Sequence, residues 1–175
     1  MRTETTTYPD GIAERHVRPL AGWRRHASPL SLALFGAVVV LALTGMLGHE
    51  RLWESQGGST SLSVLMPELI RNGEFFEMRI GVESGEPIGE LVVGIDQALW
   101  EDMTINTLIP AASDEASQDG EYRFTFADLP PGTPFLLKVD AQVNPDIVGG
   151  NEGVVTVYDG DEVLTEVRVE IGVLP

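Results

Sequence analysis

The spacing of apolar and polar residues changes character twice along the chain. Residues 27–48 contain no Asp, Glu, Lys, Arg or His, and within them Leu30–Leu47 reads LSLALFGAVVVLALTGML. This run is apolar on every side when wound as a helix and has no amphipathic stripe, so it does not read as a core helix of a globular domain. At 1.5 Å per residue, 18 to 22 residues make roughly 27–33 Å of helix, which matches the hydrocarbon thickness of a bilayer. Pro29 fits the first turn of such a helix, where a missing N–H costs little. Trp23 and Trp53 flank it at the distance expected of interfacial aromatics. The pattern predicts one transmembrane helix over residues 29–48.

Beyond residue 60 the period becomes two. Phe76, Met78, Ile80 and Val82 alternate with polar or small residues, as do Leu91, Val93 and Ile95. Met103, Ile105 and Ile109 continue the pattern, followed by the aromatic row Tyr122, Phe124 and Phe126. Phe135, Leu137, Val139 and Ala141 form another strand, and Val163, Val167, Val169 and Ile171 a last one. Val154–Tyr158 and Glu162–Ile171 are joined by Asp159-Gly160-Asp161, a strong hairpin signal because Gly accepts the positive φ of a tight turn. Ser61–Met66 reads as a first strand and Pro67–Asn72 as a short helical turn. Seven or eight strands, each with one buried face, predict an all-β antiparallel sandwich over residues 61–175. Residues 49–60 (HERLWESQGGST) read as a stalk, with Gly57, Gly58, Ser59 and Thr60 as flexible linker.

Within this body, Tyr122–Ala141 (YRFTFADLPPGTPFLLKVDA) resembles the E–F corner of fibronectin type III and related immunoglobulin-like domains, a corner found in many exported bacterial sandwiches. The matching positions are Leu129, Pro131, Gly132, Thr133 and Phe135. Phe135 stands where the family carries its corner tyrosine, so the hydroxyl-to-backbone bond of that corner is lost. The resemblance covers about 20 residues. It implies an immunoglobulin-like architecture and neither catalytic residue nor ligand.

Charge orients the chain. The formal net charge of −16 is unevenly spread: residues 1–28 carry five Arg against three acids, and residues 49–175 carry six basic side chains against 24 acids. Arg15, Arg18, Arg24 and Arg25 precede the apolar run closely, whereas only Arg51 follows it closely. The positive-inside rule then places the N-terminus in the cytoplasm and the acidic body outside the plasma (inner) membrane. A cleaved signal peptide fits less well. The leading segment is long, the apolar core exceeds the usual length, and the exit TGMLGHE offers no small-x-small site. The Arg24-Arg25 pair departs from the twin-arginine pattern in its flanks. Residues 1–28 have no periodicity and read as a disordered cytoplasmic arm. Ala33 and Ala37 form a small-xxx-small pair that permits close approach of a partner helix.

The candidate chemistry is sparse. The sequence contains no Cys, and all three His (His16, His26, His49) precede or border the body. That removes disulfides, Ser-His-Asp and Cys-His catalysis and His-based metal sites from the β domain. Lys138, the single lysine, falls on an outward strand face, and no spacing singles out a catalytic carboxylate pair. The reading is therefore not an enzyme, and the acidity argues against nucleic-acid binding. Calcium is the alternative, since it takes oxygen ligands from inter-strand loops. Asp140, Asn144, Asp146 and Asn151 supply one such set, and the loop Ser113–Glu121 a second, with Asp114, Glu115, Asp119 and Glu121. Ordinary turn chemistry explains the same residues. Trp100, between two strands, reads either as an exposed interface anchor or as a ring packed between the sheets. The expected function is that of a membrane-anchored accessory or protein-interaction module. Its expected partner is another membrane or extracytoplasmic protein, it needs no cofactor, and a calcium- or ligand-sensing domain is the second reading.

Overall fold

The computed structural model describes residues 10, 12, 24–43, 48–144 and 149–175, with helix side chains from Ser28 onward. It divides into two units, residues 1–46 and 47–175. The first contains helix α1 (Arg24–Leu43), which starts before the expected boundary, so that Pro29 lies inside it. Its large apolar side chains are exposed, with Leu30, Leu32, Leu34 and Phe35 between 67% and 72% accessible. Among the described residues no helix is long and apolar enough to cross a membrane. The expected span, residues 29–48, is described as helix only to Leu43, and residues 44–47 lie outside the described residues. Ala33 and Ala37 sit on this exposed helix.

The second unit is all-β. Its strands are β1 (Glu50–Gly57), β2 (Thr60–Pro67), β3 (Leu69–Arg71), β4 (Phe75–Ser84), β5 (Leu91–Asp96) and β6 (Met103–Ile109). They continue with β7 (Asp114–Gln118), β8 (Glu121–Thr125), β9 (Phe135–Val143), β10 (Asn151–Asp159) and β11 (Glu162–Leu174). A five-stranded sheet in the order β1-β2-β4-β9-β6 faces a six-stranded sheet in the order β3-β11-β10-β5-β8-β7. The alternating apolar residues fill the space between them. Leu62, Val64 and Met66 of β2, Met78, Ile80 and Val82 of β4, and Leu137 and Val139 of β9 meet Leu91, Val93, Ile95, Val155, Val157, Val169 and Ile171, all at most 2% exposed. Burial of this continuous apolar layer is what holds the two sheets face to face.

Three expectations are corrected. Residues 49–60 are not a stalk: β1 pairs with β2 from Glu50↔Pro67 to Gly57↔Thr60, and Gly58, at φ +56°, makes the hairpin turn. Trp53 is buried, which supplies the apolar contact that a solvated linker lacks. Pro67–Asn72 is not helical either, because β3 pairs in parallel with the end of β11. The loop expected over Ser113–Glu121 is instead β7 and a tight turn at Asp119-Gly120, closing a hairpin on β8. An edge strand solvated on both faces carries no apolar alternation, so the pattern could not mark it.

The hairpin at Gly160-Asp161 forms as expected, with Asp159 paired to Glu162 and Gly160 at φ +58°. The Leu129–Phe135 corner carries the chain from β8 in one sheet to β9 in the other. Leu129 is buried and bridges Ile88, Gly132 adopts φ +70° and donates its N–H to the Ser84 carbonyl (2.7 Å), and the Phe126 and Phe135 rings meet at 4.9 Å.

Candidate interaction surface

The two long seams of the sandwich differ. Along one, β1 closes against β11. A Cβ placed on Gly57 would lie 2.0 Å from the Leu164 carbonyl oxygen, and Thr165 Oγ1 donates to Ser55 Oγ at 3.0 Å. Close backbone approach of this kind needs a residue without a side chain.

The opposite seam, between β6 and β7, is open. Here β6 and β7 are the outermost strands of their sheets, and all five residues of β7 are exposed. The result is a groove of about 670 Å³ whose walls are Ile105, Thr107 and Leu108 on one side and Glu115, Tyr122 and Phe124 on the other. The aromatic row of β8 records the change: Phe124 and Phe126 are 4% and 6% exposed, and Tyr122 is 37% exposed where the covering layer ends. Among the described residues lining the groove none is basic.

A second surface lies on the outside of the five-stranded sheet. Strand register places Glu54, Ser63, Gly81 and Leu136 in one row and Leu52, Leu65, Arg79 and Lys138 in the next. Glu77 binds Arg79 and accepts from Lys138 Nζ at 3.4 Å. Hydrogen bonding to Arg79 holds the Glu77 carboxyl below its ordinary range, and the same contact raises Arg79. Ser63 and Gly81 floor a shallow trough of about 650 Å³ beside the half-exposed Leu136. Small polar residues make this floor, so it offers little apolar area to a partner.

A third feature was not legible as such in the sequence. On the outside of the six-stranded sheet, Tyr158 OH donates to Glu121 Oε2 at 2.7 Å, and Arg123 Nε donates to the same oxygen at 3.1 Å. Thr156 Oγ1 reaches Glu121 Oε1 at 3.4 Å, and the Arg123 guanidinium lies 4.6 Å above the Tyr158 ring. The Glu121 and Arg123 side chains are only 13% and 16% exposed. Burial, and then the bond to Glu121, raise the Tyr158 phenol above its ordinary value. Burial opposes the Arg123 charge, but contact with Glu121 and Tyr158 outweighs it and the net direction is upward. The cluster fits because Gly94 lies beneath it: a Cβ there would stand 3.0 Å from both Glu121 Oε2 and the Tyr158 ring. The available signal was this glycine inside an apolar strand, a mark of close approach. Both oxygens of its carboxylate accept hydrogen bonds from within the cluster, which forms a polar cover over β5 and β10. It also explains why consecutive residues of these strands are buried where alternation alone predicts one solvated face.

The sequence-derived calcium residues do not converge on one point. Asp140 is exposed on the outside of β9, opposite Glu77. Asn144 Oδ1 accepts from Thr104 Oγ1 at 3.1 Å. Asn151 Nδ2 donates to the Leu99 and Glu101 carbonyls, at 3.3 and 2.6 Å, and so holds the 3-10 turn Gln97–Trp100. Asp146 lies outside the described residues. In the second set, Asp114, Glu115 and Asp119 are exposed along β7 and its turn, and Glu121 belongs to the tyrosine cluster. Among the described residues no group of three or more His, Cys, Asp or Glu is arranged to hold a metal ion. Trp100 is 5% exposed and stacks on Phe76 at 6.2 Å, so it packs inside the sandwich instead of anchoring an interface.

No family model matches the chain, and no curated protein matches it either. Among solved structures, CaCohA2 from Clostridium acetobutylicum is similar at 13% identity and a TM-score of 0.43, covering 66% of this chain and 92% of its own. The sulfur carrier protein SoxY from Chlorobium limicola f thiosulfatophilum is similar at 13% identity and a TM-score of 0.39, covering 79% of this chain and 96% of its own. At these values neither assigns a family to the chain.

Proposed function

We propose that this chain is a single-pass membrane protein whose acidic β-sandwich is held outside the cytoplasm as a protein-interaction module. The observation that carries the interaction reading is the open seam between β6 and β7, where Tyr122, Ile105 and Leu108 line a groove beside two unpaired sheet edges. Apolar area and unsatisfied strand edges placed together are costly to leave in water and are what a protein partner covers. Anchoring is supported by the uncharged run of residues 27–48 and by a helix whose leucines and Phe35 are exposed on all sides. The basic leading segment and the acidic body support the orientation.

The order of the central strands supports an immunoglobulin-like reading of the sandwich. β5, β8 and β7 lie side by side in one sheet and β6 beside β9 in the other, the adjacency of strands B, E, D and C, F in that fold. The absence of His and Cys from residues 50–175 and the engaged carboxylate of Glu121 favour an accessory role over catalysis.

Two measurements on the full chain test the reading. Alkaline extraction should leave it in the membrane pellet, and a reporter fused after Pro175 should be active only outside the cytosol. Chemical crosslinking of the intact membrane should capture the chain together with another protein. A chain released by alkali, or one that remains a lone monomer after crosslinking, would refute the proposal.

A further inference from the structure

We infer that the open seam accepts an extended segment of a partner protein, added beside β6 as a sixth strand of the five-stranded sheet and bearing apolar and basic residues in alternation. This rests on the interaction-module reading and specifies its partner.

All five residues of β7 are exposed, and a strand added beside β6 would extend the five-stranded sheet at the seam that β7 shares with the exposed Tyr122 of β8. The four edge strands also differ in how they are guarded. Natural sheets protect their edges with charge, extreme shortness or cover. β1 carries Glu50, Arg51 and Glu54, and β7 carries Asp114 and Glu115. β3 has three residues, one of them Arg71, and β1 is in addition sealed against β11. β6, reading Met-Thr-Ile-Asn-Thr-Leu-Ile, is the one described edge strand with no charged side chain. Its single irregularity is the bulge at Asn106, between Ile105 and Thr107. An edge strand points alternate N–H and C=O groups outward, so β6 presents a ready ladder for an added strand.

The groove also sets the chemistry of the occupant. Side chains of an added strand alternate between the interior and the solvent. Those turned inward meet Tyr122, Phe124 and Leu108, which selects apolar residues. The positions turned to solvent continue the outer row of Thr107, Asp140 and Glu77, Glu115 lies on the groove wall with no basic residue among the described lining, and the body carries 24 acids against six bases. A basic segment is therefore favoured and a second copy of this acidic chain is not.

The test uses the full chain in detergent micelles and a ten-residue peptide of alternating Val and Lys, with an alternating Val and Glu peptide as its control. The Val–Lys peptide should slow amide exchange across Met103–Ile109 by about tenfold or more, and the Val–Glu peptide should not. Glu115→Lys should weaken the Val–Lys peptide roughly tenfold at low salt, while Glu162→Lys, an equal charge change on the β10–β11 hairpin, should leave it within about twofold. Both positions are exposed, so both variants should keep the parent melting temperature. Protection centred on β1 or on the outer sheet face, equal weakening by both variants, or dimers that protect β6 without peptide would overturn the inference. In intact membranes, a photoreactive residue at Thr107 should capture a partner and one at Leu136 should not. Capture at Leu136 alone would remove the strand-addition inference and leave the interaction module standing, whereas capture at neither would remove both.

Discussion

Tyr158→Phe should cost this domain about 1.5 kcal/mol at neutral pH, and the cost should disappear in alkali. The substitution deletes one oxygen from a residue that is 5% exposed and leaves the ring beneath Arg123. The lost bond is the 2.7 Å donation to the Glu121 carboxylate. Bonds to a charged partner contribute roughly 1.5–3 kcal/mol. The lower end applies because Glu121 keeps Arg123 at 3.1 Å and Thr156 at 3.4 Å. For a domain of this size the melting point should fall about 5 °C. The phenol is raised in the folded protein, so folding favours its protonated form. That contribution is fully present below the ordinary tyrosine value of 10.0 and is lost as pH rises through the higher folded value. Parent and variant should therefore converge as the pH rises above 10.0 and through the higher folded value. Urea unfolding of the full chain, followed by tryptophan fluorescence between pH 7 and 11.5, measures both effects. In a double-mutant cycle with Glu121→Gln, the two positions should couple by about 1 kcal/mol. A loss under 0.5 kcal/mol, or one that persists unchanged in strong alkali, would refute the account of the cluster.

Gly57→Ala should destabilise the β unit by about 2 kcal/mol or more, because its methyl would meet the Leu164 carbonyl and part β1 from β11. Thermal melts read this directly, and a neutral result would return residues 49–60 to the role of a linker. On the outer face of the five-stranded sheet, Glu77 titrates below its ordinary value of 4.5 because Arg79 binds its charged form. Its contribution is present above that value and fades as pH falls through the folded one. A Glu77→Gln variant should thus unfold at a less acid-dependent midpoint than the parent between pH 5 and about 3, and parallel acid titrations would disprove this.

Residues buried on one side announced themselves in the sequence. Alternation at Phe76–Val82 and Phe135–Ala141 marked β4 and β9, Leu91–Ile95 marked β5 although that strand is buried on both faces, and Asp159-Gly160-Asp161 marked the β10–β11 hairpin. For Trp100 the sequence left an interface anchor and a packed ring both open, and its 5% exposure and stacking on Phe76 decide for packing. β7 and β3 were not legible, and β1 was mistaken for a linker. An edge strand gains its structure from one neighbour and exposes most of its side chains, so its composition need not differ from that of a loop.

The sequence by itself determined the all-β character of the body, the separate apolar helix and the asymmetric charge, because periodicity and charge-free length are local properties that solvent sorts without reference to the rest of the chain. Only the tertiary structure decided which seam is closed and which is open. That outcome depends on Gly57 admitting β11 to one side, and on β6 and β7 ending their sheets at the other with β7 exposed along its whole length. Contacts between residues more than a hundred positions apart, such as Ser55 with Thr165, leave no trace in any local pattern. The same holds for Gly94, whose missing side chain becomes meaningful only when Glu121 and Tyr158 arrive from two other strands to occupy the space.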